Sequence, residues 1–205
     1  MTTHDNAPIG MDVEAPALDS RAFRAALGSF ATGITVVTAR GPNGAPVGVT
    51  VNSFSSVSLD PPLVLWSLDR RALSLPAFEA AGHFAVHVLS ADQAHLSDRF
   101  ATRGANDKFE GLDWSEGFGG VPLLPGIAAR FECRRHAAHD GGDHRIYLGR
   151  VLRFENNGDA TLAFQRGAYA ICDTLERVSR RAISAVNAAS TRFDDRMSAG
   201  AASRA

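Results

Sequence analysis

The sequence predicts a mainly β protein: an antiparallel barrel, closed or nearly closed, with a few added helices. Short runs of β-branched and aromatic residues recur along the chain, and such runs are typical of strands. Turn-forming sequences, among them residues 41–46 and 139–144, separate these runs. Most connections are too short for the crossover that parallel strands require, which favours the barrel over a doubly wound sheet.

Length and composition indicate one globular domain. The 205 residues are 45% apolar and 21% charged, which excludes a wholly disordered or fibrous chain. The net charge of −1 gives no excess of positive charge for nucleic acid or an anionic membrane, and we expect neither partner. No apolar run is long enough to span a bilayer, and the N-terminus lacks the pattern of a secretory signal. Two cysteines make no disulfide framework, so a cytoplasmic location is the simplest expectation.

The chain divides by pattern into a domain and two tails. Residues 1–18 are small and polar without periodicity, and we expect a disordered tail. Residues 19–171 carry the strand and helix patterns and form the predicted domain. Residues 172–205 form a C-terminal tail, which is helical over 173–189 and disordered beyond it.

The first helix is predicted over residues 19–30, where Phe23, Leu27 and Phe30 recur at helical spacing. Asp19 or Ser20 can cap it. Two further helices are expected over 73–82, ending at Gly82, and over 90–101, capped by Ser90. The stretch at 53–62 has Phe54, Val57 and Leu59 among serines and is assigned to no strand. Strands are expected over 34–39, 47–52, 63–68, 83–89, 127–138 and 145–155, with a last pair over 161–170.

The strand at 127–138 has an alternating pattern. Apolar residues face one way, while Arg130, Glu132 and Arg134 face the other, which predicts a strand with one face in solvent. Gly149, in the strand that returns, indicates a bulge.

Several common catalytic motifs are absent from the sequence. There is no phosphate-binding loop with its lysine, no G-x-G-x-x-G opening a helix, no G-x-S-x-G and no C-x-x-C. Their absence argues against the usual nucleotide-binding folds, the α/β-hydrolase elbow and a zinc ribbon.

The histidines of residues 136–144 raise the possibility of a metal-dependent hydrolase. His136, His139 and His144 have the right chemistry for ligands. On an extended strand, however, positions 136 and 139 point to opposite faces, and no known zinc spacing matches. The simpler interpretation is a strand–turn–strand whose glycines form the turn, and we expect no metal.

Three polar segments are candidates for a ligand site. Residues 47–68 place small polar side chains beside two apolar strands, where backbone groups at 50–53 can meet the edge of a planar ligand. At 67–74, Arg70 and Arg71 precede a short helix, which is a favourable place for an anion. At 98–109, Arg99, Arg103 and Lys108, the one lysine among 21 basic residues, can converge on a phosphate. Taken singly, each segment is equally consistent with a solvated edge or a charged loop.

Taken together, six segments in one order resemble the flavin reductase family of FMN-binding split barrels, the small reductase components of two-component flavin monooxygenases. The segments are residues 23–39, 46–68, 83–89, 98–114, 139–151 and 164–169. The resemblance implies a six-stranded antiparallel split barrel with added helices, usually a homodimer. It also implies hydride transfer from NADH or NADPH to FMN or FAD, with reduced flavin passed to a partner monooxygenase. A flavin- or haem-binding split barrel without turnover remains the alternative.

The resemblance also implies the site residues. Contacts to the flavin ring come from Thr50, Val51, Asn52 and Ser53. Phosphate and ribityl contacts come from Ser67, Leu68, Asp69, Arg70 and Ser74, and the loop that closes over the flavin holds Phe100, Lys108 and Phe109. The nicotinamide meets His144, the one catalytic residue implied, as a hydrogen-bond donor or positioning group, with Arg166 and Tyr169 completing that pocket.

Overall fold

The computed structural model describes residues 17–104 and 107–180 and is mainly β, which confirms the predicted fold class. The helices are α1 (Ser20–Leu27), α2 (Leu75–Ala80) and α3 (Ala94–Ala101), with a 3-10 turn at Phe118–Gly120. The strands are β1 (Thr32–Gly33), β2 (Thr35–Arg40), β3 (Pro46–Val51), β4 (Ser55–Leu59), β5 (Pro62–Asp69), β6 (His83–Val88), β7 (Ser115–Glu116), β8 (Pro122–Leu123), β9 (Ala129–Gly141), β10 (His144–Asn156), β11 (Thr161–Gln165) and β12 (Ala168–Cys172).

The main sheet is antiparallel and runs in the order β3-β2-β6-β9-β10-β5-β4. Residues 55–59 form its edge strand, β4, which pairs with β5. The sequence pattern missed this strand, since its residues are largely exposed serines and no apolar face marks it. Smaller sheets join β1, β11 and β12, and β7 with β8.

Two apolar clusters lie on opposite sides of β2. Val36 and Val37 are both fully buried but belong to different clusters, because successive side chains of a strand point to opposite faces. The first cluster is centred on Trp66, which stacks on Tyr147 with ring centroids 4.8 Å apart. The second cluster packs α3 and the segment after it against the main sheet, and it includes Phe100. The second cluster therefore fixes the helix that carries part of the candidate site.

The long hairpin of β9 and β10 agrees with its prediction. The turn between the strands has Gly142 at a φ of 69°. The register shifts between Leu148 and Gly149, at the expected bulge. A Cβ at Gly149 would lie 2.4 Å from Cζ of Phe84. Any side chain at this position would therefore clash with Phe84, and glycine allows the strand to pack closely on it.

Two details of the prediction were wrong. Glu132 was expected in solvent but is 2% exposed, because residues 117–118 fold over β9 and the Phe118 N–H donates to its carboxylate at 2.6 Å. Ser90 does not cap α3, which begins later, at Ala94. The Ser90 hydroxyl donates instead to the carbonyl of Gly126 at 2.7 Å.

Helix α1 is capped as predicted, since Asp19 Oδ1 accepts from the Arg21 N–H at 2.9 Å. Its apolar side chains Phe23 and Leu27 are nevertheless 51% and 59% exposed. Within the described residues no helix is long and apolar enough to cross a membrane.

Most of the two predicted tails, residues 1–16 and 181–205, lies outside the described part of the chain. Residues 175–180 are helical, in agreement with the start of the C-terminal helix expected over 173–189.

Candidate functional site

A cavity of about 390 Å³ lies between β3, the segment that follows β5, and the end of α3 with the segment after it. It brings together five residues implied by the resemblance: Asp69, Ser74, Phe100, Lys108 and Phe109. The volume lies within the range of small-molecule sites. Residues distant in sequence therefore meet in one cavity, which the individual segments did not establish.

The apolar wall of the cavity is an aromatic pair seated on β3. The rings of Phe100 and Phe109 meet edge to face, with centroids 5.1 Å apart, and both are buried. Gly48 makes the close approach possible, because a Cβ there would lie 2.5 Å from Cε1 of Phe100. The sequence alone gave no reason to single out Gly48. Its role, to let Phe100 of α3 pack directly on β3, is visible only in the structure.

The segment that carries Lys108 is fastened to α3 by reciprocal hydrogen bonds. The Lys108 ammonium donates to the carbonyl of Phe100 at 2.6 Å. Arg99 donates in turn to the carbonyl of Lys108 at 2.8 Å and to that of Glu110. Partial burial lowers the pKa of Lys108. An ammonium has three N–H donors, so this bond leaves two for an anion in the cavity.

The charged mouth of the cavity contains Arg71 and Arg103. Arg71 Nη2 donates to Asp69 at 2.7 Å, and this hydrogen bond holds the pKa of Asp69 well below its usual range. Arg103 donates to the carbonyl of Arg71 at 2.9 Å, which joins the end of α3 to the segment after β5. With Ser74 and Lys108, these cations suit a phosphate group.

Arg70, for which the resemblance implies a phosphate contact, does not line the first cavity. Its guanidinium turns away from the cavity and pairs with Asp140, and its Nε donates to the carbonyl of Gly142 at 3.0 Å. The β9–β10 turn supplies these acceptors, so it is the neighbouring Arg71 that lines the cavity.

Thr50 and Tyr169 meet on α3, next to the cavity wall. The Thr50 hydroxyl donates to the carbonyl of Ser97 at 2.7 Å. The Tyr169 hydroxyl lies 2.9 Å from the Ser97 hydroxyl and donates to Asp98 at 2.6 Å. Burial and the acceptor Asp98 both raise the pKa of Tyr169. The structure thus connects a predicted flavin contact with a predicted nicotinamide contact through one helix.

The residues at the ends of β3 and β5 divide into two kinds. Ser53 and Ser67 bond reciprocally, with the Ser67 N–H donating to the Ser53 hydroxyl at 2.9 Å. Val51 and Leu68 are buried in the apolar core, and the Val51 carbonyl accepts from the Thr35 hydroxyl at 3.0 Å. Asn52 is exposed.

His144 is coupled to the cavity through Asp69, its partner across the β5–β10 pair. Its Nδ1 lies 2.7 Å from Asp143 Oδ1. Because a carboxylate only accepts, Nδ1 carries the proton, and the bond lowers the pKa of Asp143. The contact fixes the ring and leaves Nε2 for a ligand.

Arg166 lies apart from the residues just described. It occupies the turn between β11 and β12 and lines a second cavity, of about 650 Å³, against α1. Within one chain, the structure does not bring Arg166 to the first cavity.

The metal alternative gains no support from the geometry. Across residues 17–104 and 107–180, no three histidine, cysteine, aspartate or glutamate side chains converge as ligands would. His136 and His139 lie exposed along β9.

An aromatic wall beside β3 and a cationic mouth on one cavity are the features of a protein that binds a planar, phosphate-bearing cofactor. Comparison with protein families matches residues 27–172 to the flavin reductase like domain, and the chain belongs to this family. It is 58% identical over 151 residues to FMN reductase (NADH) SmoA of Agrobacterium fabrum, covering 74% of this chain and 85% of that protein. It is 43% identical over 157 residues to stachydrine N-demethylase reductase subunit Stc3 of Rhizobium meliloti, covering 77% and 68%.

Solved structures agree with this assignment. BorF, the flavin reductase component of a bacterial two-component tryptophan halogenase, matches with a TM-score of 0.70 at 39% identity, over 76% of this chain and 99% of that one. NADH:FAD oxidoreductase SgcE6 of Streptomyces globisporus, in complex with NAD and FAD fragments, matches with a TM-score of 0.69 at 38% identity, over 76% and 96%. This chain spans 53% of a longer Rhizobium meliloti relative, with which it is 44% identical over 171 residues.

Proposed function

We propose that this chain is an NAD(P)H:flavin oxidoreductase, which reduces FMN or FAD and passes the reduced flavin to a monooxygenase. The observation that carries the proposal is the first cavity, in which the Phe100–Phe109 wall and the cations of Arg71 and Lys108 surround one volume. Asp69 joins this cavity to His144. The relatives support the reaction, since SmoA is named an NADH-dependent FMN reductase and Stc3 a reductase subunit.

In this proposal the flavin lies along the end of β3. Backbone groups of residues 50–53 meet the heteroatom edge of its ring, and the aromatic wall excludes water. Arg71, Ser74 and Lys108 hold the phosphate, with Arg103 beside them. The family's phosphate contact therefore falls to Arg71 rather than Arg70.

The bound cofactors supply hydride transfer themselves, and the chain supplies binding and orientation. His144 is held by Asp143 so that Nε2 can hydrogen-bond the nicotinamide and place it beside the flavin ring. Tyr169 fixes the side of the site next to α3 through Asp98. No strong acid or base is required of the protein for this reaction.

The proposal includes a homodimer and a cytoplasmic location. Phe23, Leu27 and Phe30 leave an apolar face on and after α1, and Ile171 is 61% exposed. Exposed apolar surface of this kind is typical of protein interfaces. Reduced nicotinamide dinucleotides and free flavins are both cytoplasmic, which places the enzyme with its substrates.

The proposal is tested by oxidation of NADH and of NADPH, followed by loss of nicotinamide absorbance, first alone and then with FMN, FAD or riboflavin. Oxidation that depends on added flavin is the expected result, and the rates settle both cofactor preferences. Folded protein that oxidises neither donor with any flavin would refute the proposal in favour of the non-catalytic flavin- or haem-binding alternative. Flavin and haem titrations of that protein would then separate the two ligands.

A further inference from the structure

Arg40, the last residue of β2, makes contacts that the proposed reaction does not use. It lies outside the described residues that line the first cavity, yet it binds the segment that forms part of the cavity wall. We call residues 107–123 the wall segment. This segment follows α3, carries Lys108 and Phe109, and ends in the β7–β8 hairpin.

The Arg40 guanidinium ties the wall segment to the main sheet. Its Nε donates to the carbonyl of Gly120 at 2.7 Å, and its Nη2 donates to the carboxylate of Glu116. Its Nη1 donates to the carbonyl of Gly44 at 2.7 Å, in the turn between β2 and β3. The donors of a guanidinium are fixed in one plane, so three acceptors from two parts of the chain hold the group in one orientation.

The face of the same guanidinium lies against Trp114. Its Cζ is 4.9 Å from the centroid of the indole ring, which is the geometry of a cation–π contact. Trp114 meets Phe109 edge to face with ring centroids 6.1 Å apart, and Phe109 meets Phe100 in the same way at 5.1 Å. A continuous series of ring contacts therefore joins Arg40 to the aromatic wall of the first cavity.

Other contacts hold the wall segment to the sheet without involving this series. The Thr38 hydroxyl donates to the carbonyl of Pro122 at 2.5 Å, and Glu132 accepts from the Phe118 N–H at 2.6 Å. Both contacts lie beyond the indole in the chain. We therefore expect loss of the guanidinium to leave the hairpin attached to the sheet while it frees the indole.

The wall segment contributes an apolar group and a cation to the same cavity. Phe109 supplies the ring and Lys108 the ammonium, and both residues line the cavity. Because the two residues are adjacent, a backbone shift that moves the ring also moves the ammonium. Contacts that fix Trp114 therefore affect both groups.

We propose that Arg40 is a positioning residue for the flavin: by holding Trp114, it keeps the Phe109 ring and the Lys108 ammonium in place in the flavin site. It acts through Trp114 and needs no contact with the flavin. The inference rests on the proposed function, in which the first cavity binds the flavin. A positioning role of this kind weakens flavin binding when it is lost but leaves the rate at saturating flavin unchanged.

The test is a titration of the full chain and its variants with FMN or FAD, whichever the parent reduces faster. Arg40→Gln removes the charge from the indole face and keeps an amide donor, whereas Arg40→Lys keeps the charge. Trp114→Leu removes the indole and keeps an apolar side chain. Arg130→Gln is the matched control, because Arg130 is also half-buried and paired with a carboxylate, that of Glu155, but lies in β9 outside the wall segment.

We expect Arg40→Gln and Trp114→Leu each to raise the dissociation constant and the KM of the flavin about tenfold at an unchanged kcat. Arg40→Lys should recover part of this loss, and Arg130→Gln should match the parent. The double variant of Arg40→Gln and Trp114→Leu should bind flavin no more weakly than either single variant, because both changes remove the same contact. Independent effects would instead multiply to about a hundredfold.

Tryptophan fluorescence gives a second readout, which a general loss of stability does not change in the folded protein. The chain has two tryptophans, and Trp66 is fully buried in the first cluster. Quenching by acrylamide should therefore increase in Arg40→Gln through Trp114 and stay at the parent level in Arg130→Gln.

Equal flavin dissociation constants for the parent and Arg40→Gln would overturn the inference, as would a lower kcat at an unchanged KM. A double variant that binds about a hundredfold more weakly would also overturn it, since Arg40 would then act independently of Trp114. If Arg40→Gln does not fold, Trp114→Leu carries the comparison, and flavin binding equal to that of the parent would refute the role. A parent that binds no flavin refutes the proposed function and the inference with it, whereas flavin binding that is insensitive to Arg40 refutes the inference alone.

Discussion

Replacement of Gly48 by alanine tests whether the aromatic wall is built on the close approach of β3 to α3. The new Cβ would lie 2.5 Å from Cε1 and 2.6 Å from Cδ1 of Phe100. Carbon atoms normally meet at about 3.5–4.0 Å, so the ring has to move by about 1 Å. Phe100 is fully buried and packed against Phe109, so its ring can move only by displacing Phe109 or by entering the cavity that both rings line. Overpacking of this kind costs about 1–3 kcal/mol of folding free energy.

The assay is urea unfolding of Gly48→Ala, combined with a flavin titration followed by fluorescence. The matched control is Gly33→Ala, because nothing lies within 4 Å of a Cβ at Gly33 and its φ is ordinary. We expect Gly48→Ala to have a lower unfolding midpoint and weaker flavin binding than the parent, and Gly33→Ala to match the parent in both. A second change, Phe100→Leu, should recover part of the stability in the Gly48→Ala background. Equal midpoints for the two alanine variants would refute this account of the wall.

Three further predictions concern the site and the core. His144→Ala should lower kcat/KM for the nicotinamide about tenfold while flavin affinity changes little; steady-state kinetics that match the parent would remove the positioning role. Lys108→Ala should weaken flavin binding by about 1–3 kcal/mol if the ammonium pairs with the phosphate, and equal dissociation constants would contradict that contact. Burial lowers the pKa of His87 from 6.5 to about 3, so the unfolded chain takes up a proton that the folded chain does not. Stability should therefore fall as the pH drops from about 6.5 towards 3, by up to about 1.4 kcal/mol per pH unit, and His87→Leu should flatten that dependence in urea titrations at several pH values.

The fold class was predictable because it depends on local signals that the chain carries in every strand. β2 shows this, since a run of β-branched residues bounded by turn residues is sufficient to indicate a buried strand. β4 lacks such a signal. It forms a strand because it pairs with the edge of β5, whereas its serines alone indicated only a solvated edge and turn.

Glu132 shows what alternation along a strand can and cannot establish. The pattern correctly assigns it to the face opposite Cys133, but it does not show what covers that face. Residues 117–118 come from a distant part of the chain and bury the carboxylate by donating to it. A sequence pattern contains no information on this contact, because the contact depends on tertiary packing.

The same limit applies to the cations of the site. Arg70 and Arg71 are adjacent, and their chemistry is identical. The strand register, which pairs Asp69 with His144 across β5 and β10, places Arg70 beside the β9–β10 turn. Arg70 therefore donates to the Gly142 carbonyl of that turn, whereas Arg71 lines the cavity. The cluster itself was indicated by sequence, including the lone Lys108, whereas the division of roles within it required the strand register.

The cations of the first cavity already have partners within the chain, and this bears on how a flavin would leave. Arg71 is paired with Asp69, and Lys108 donates to the carbonyl of Phe100. A phosphate that enters has to share these donors or displace their acceptors, so its net gain is smaller than that of a site with free cations. The internal partners also satisfy the cations again when the phosphate departs, which lowers the cost of dissociation. Such an arrangement favours reversible binding, as a reductase that delivers its flavin to a separate oxygenase requires.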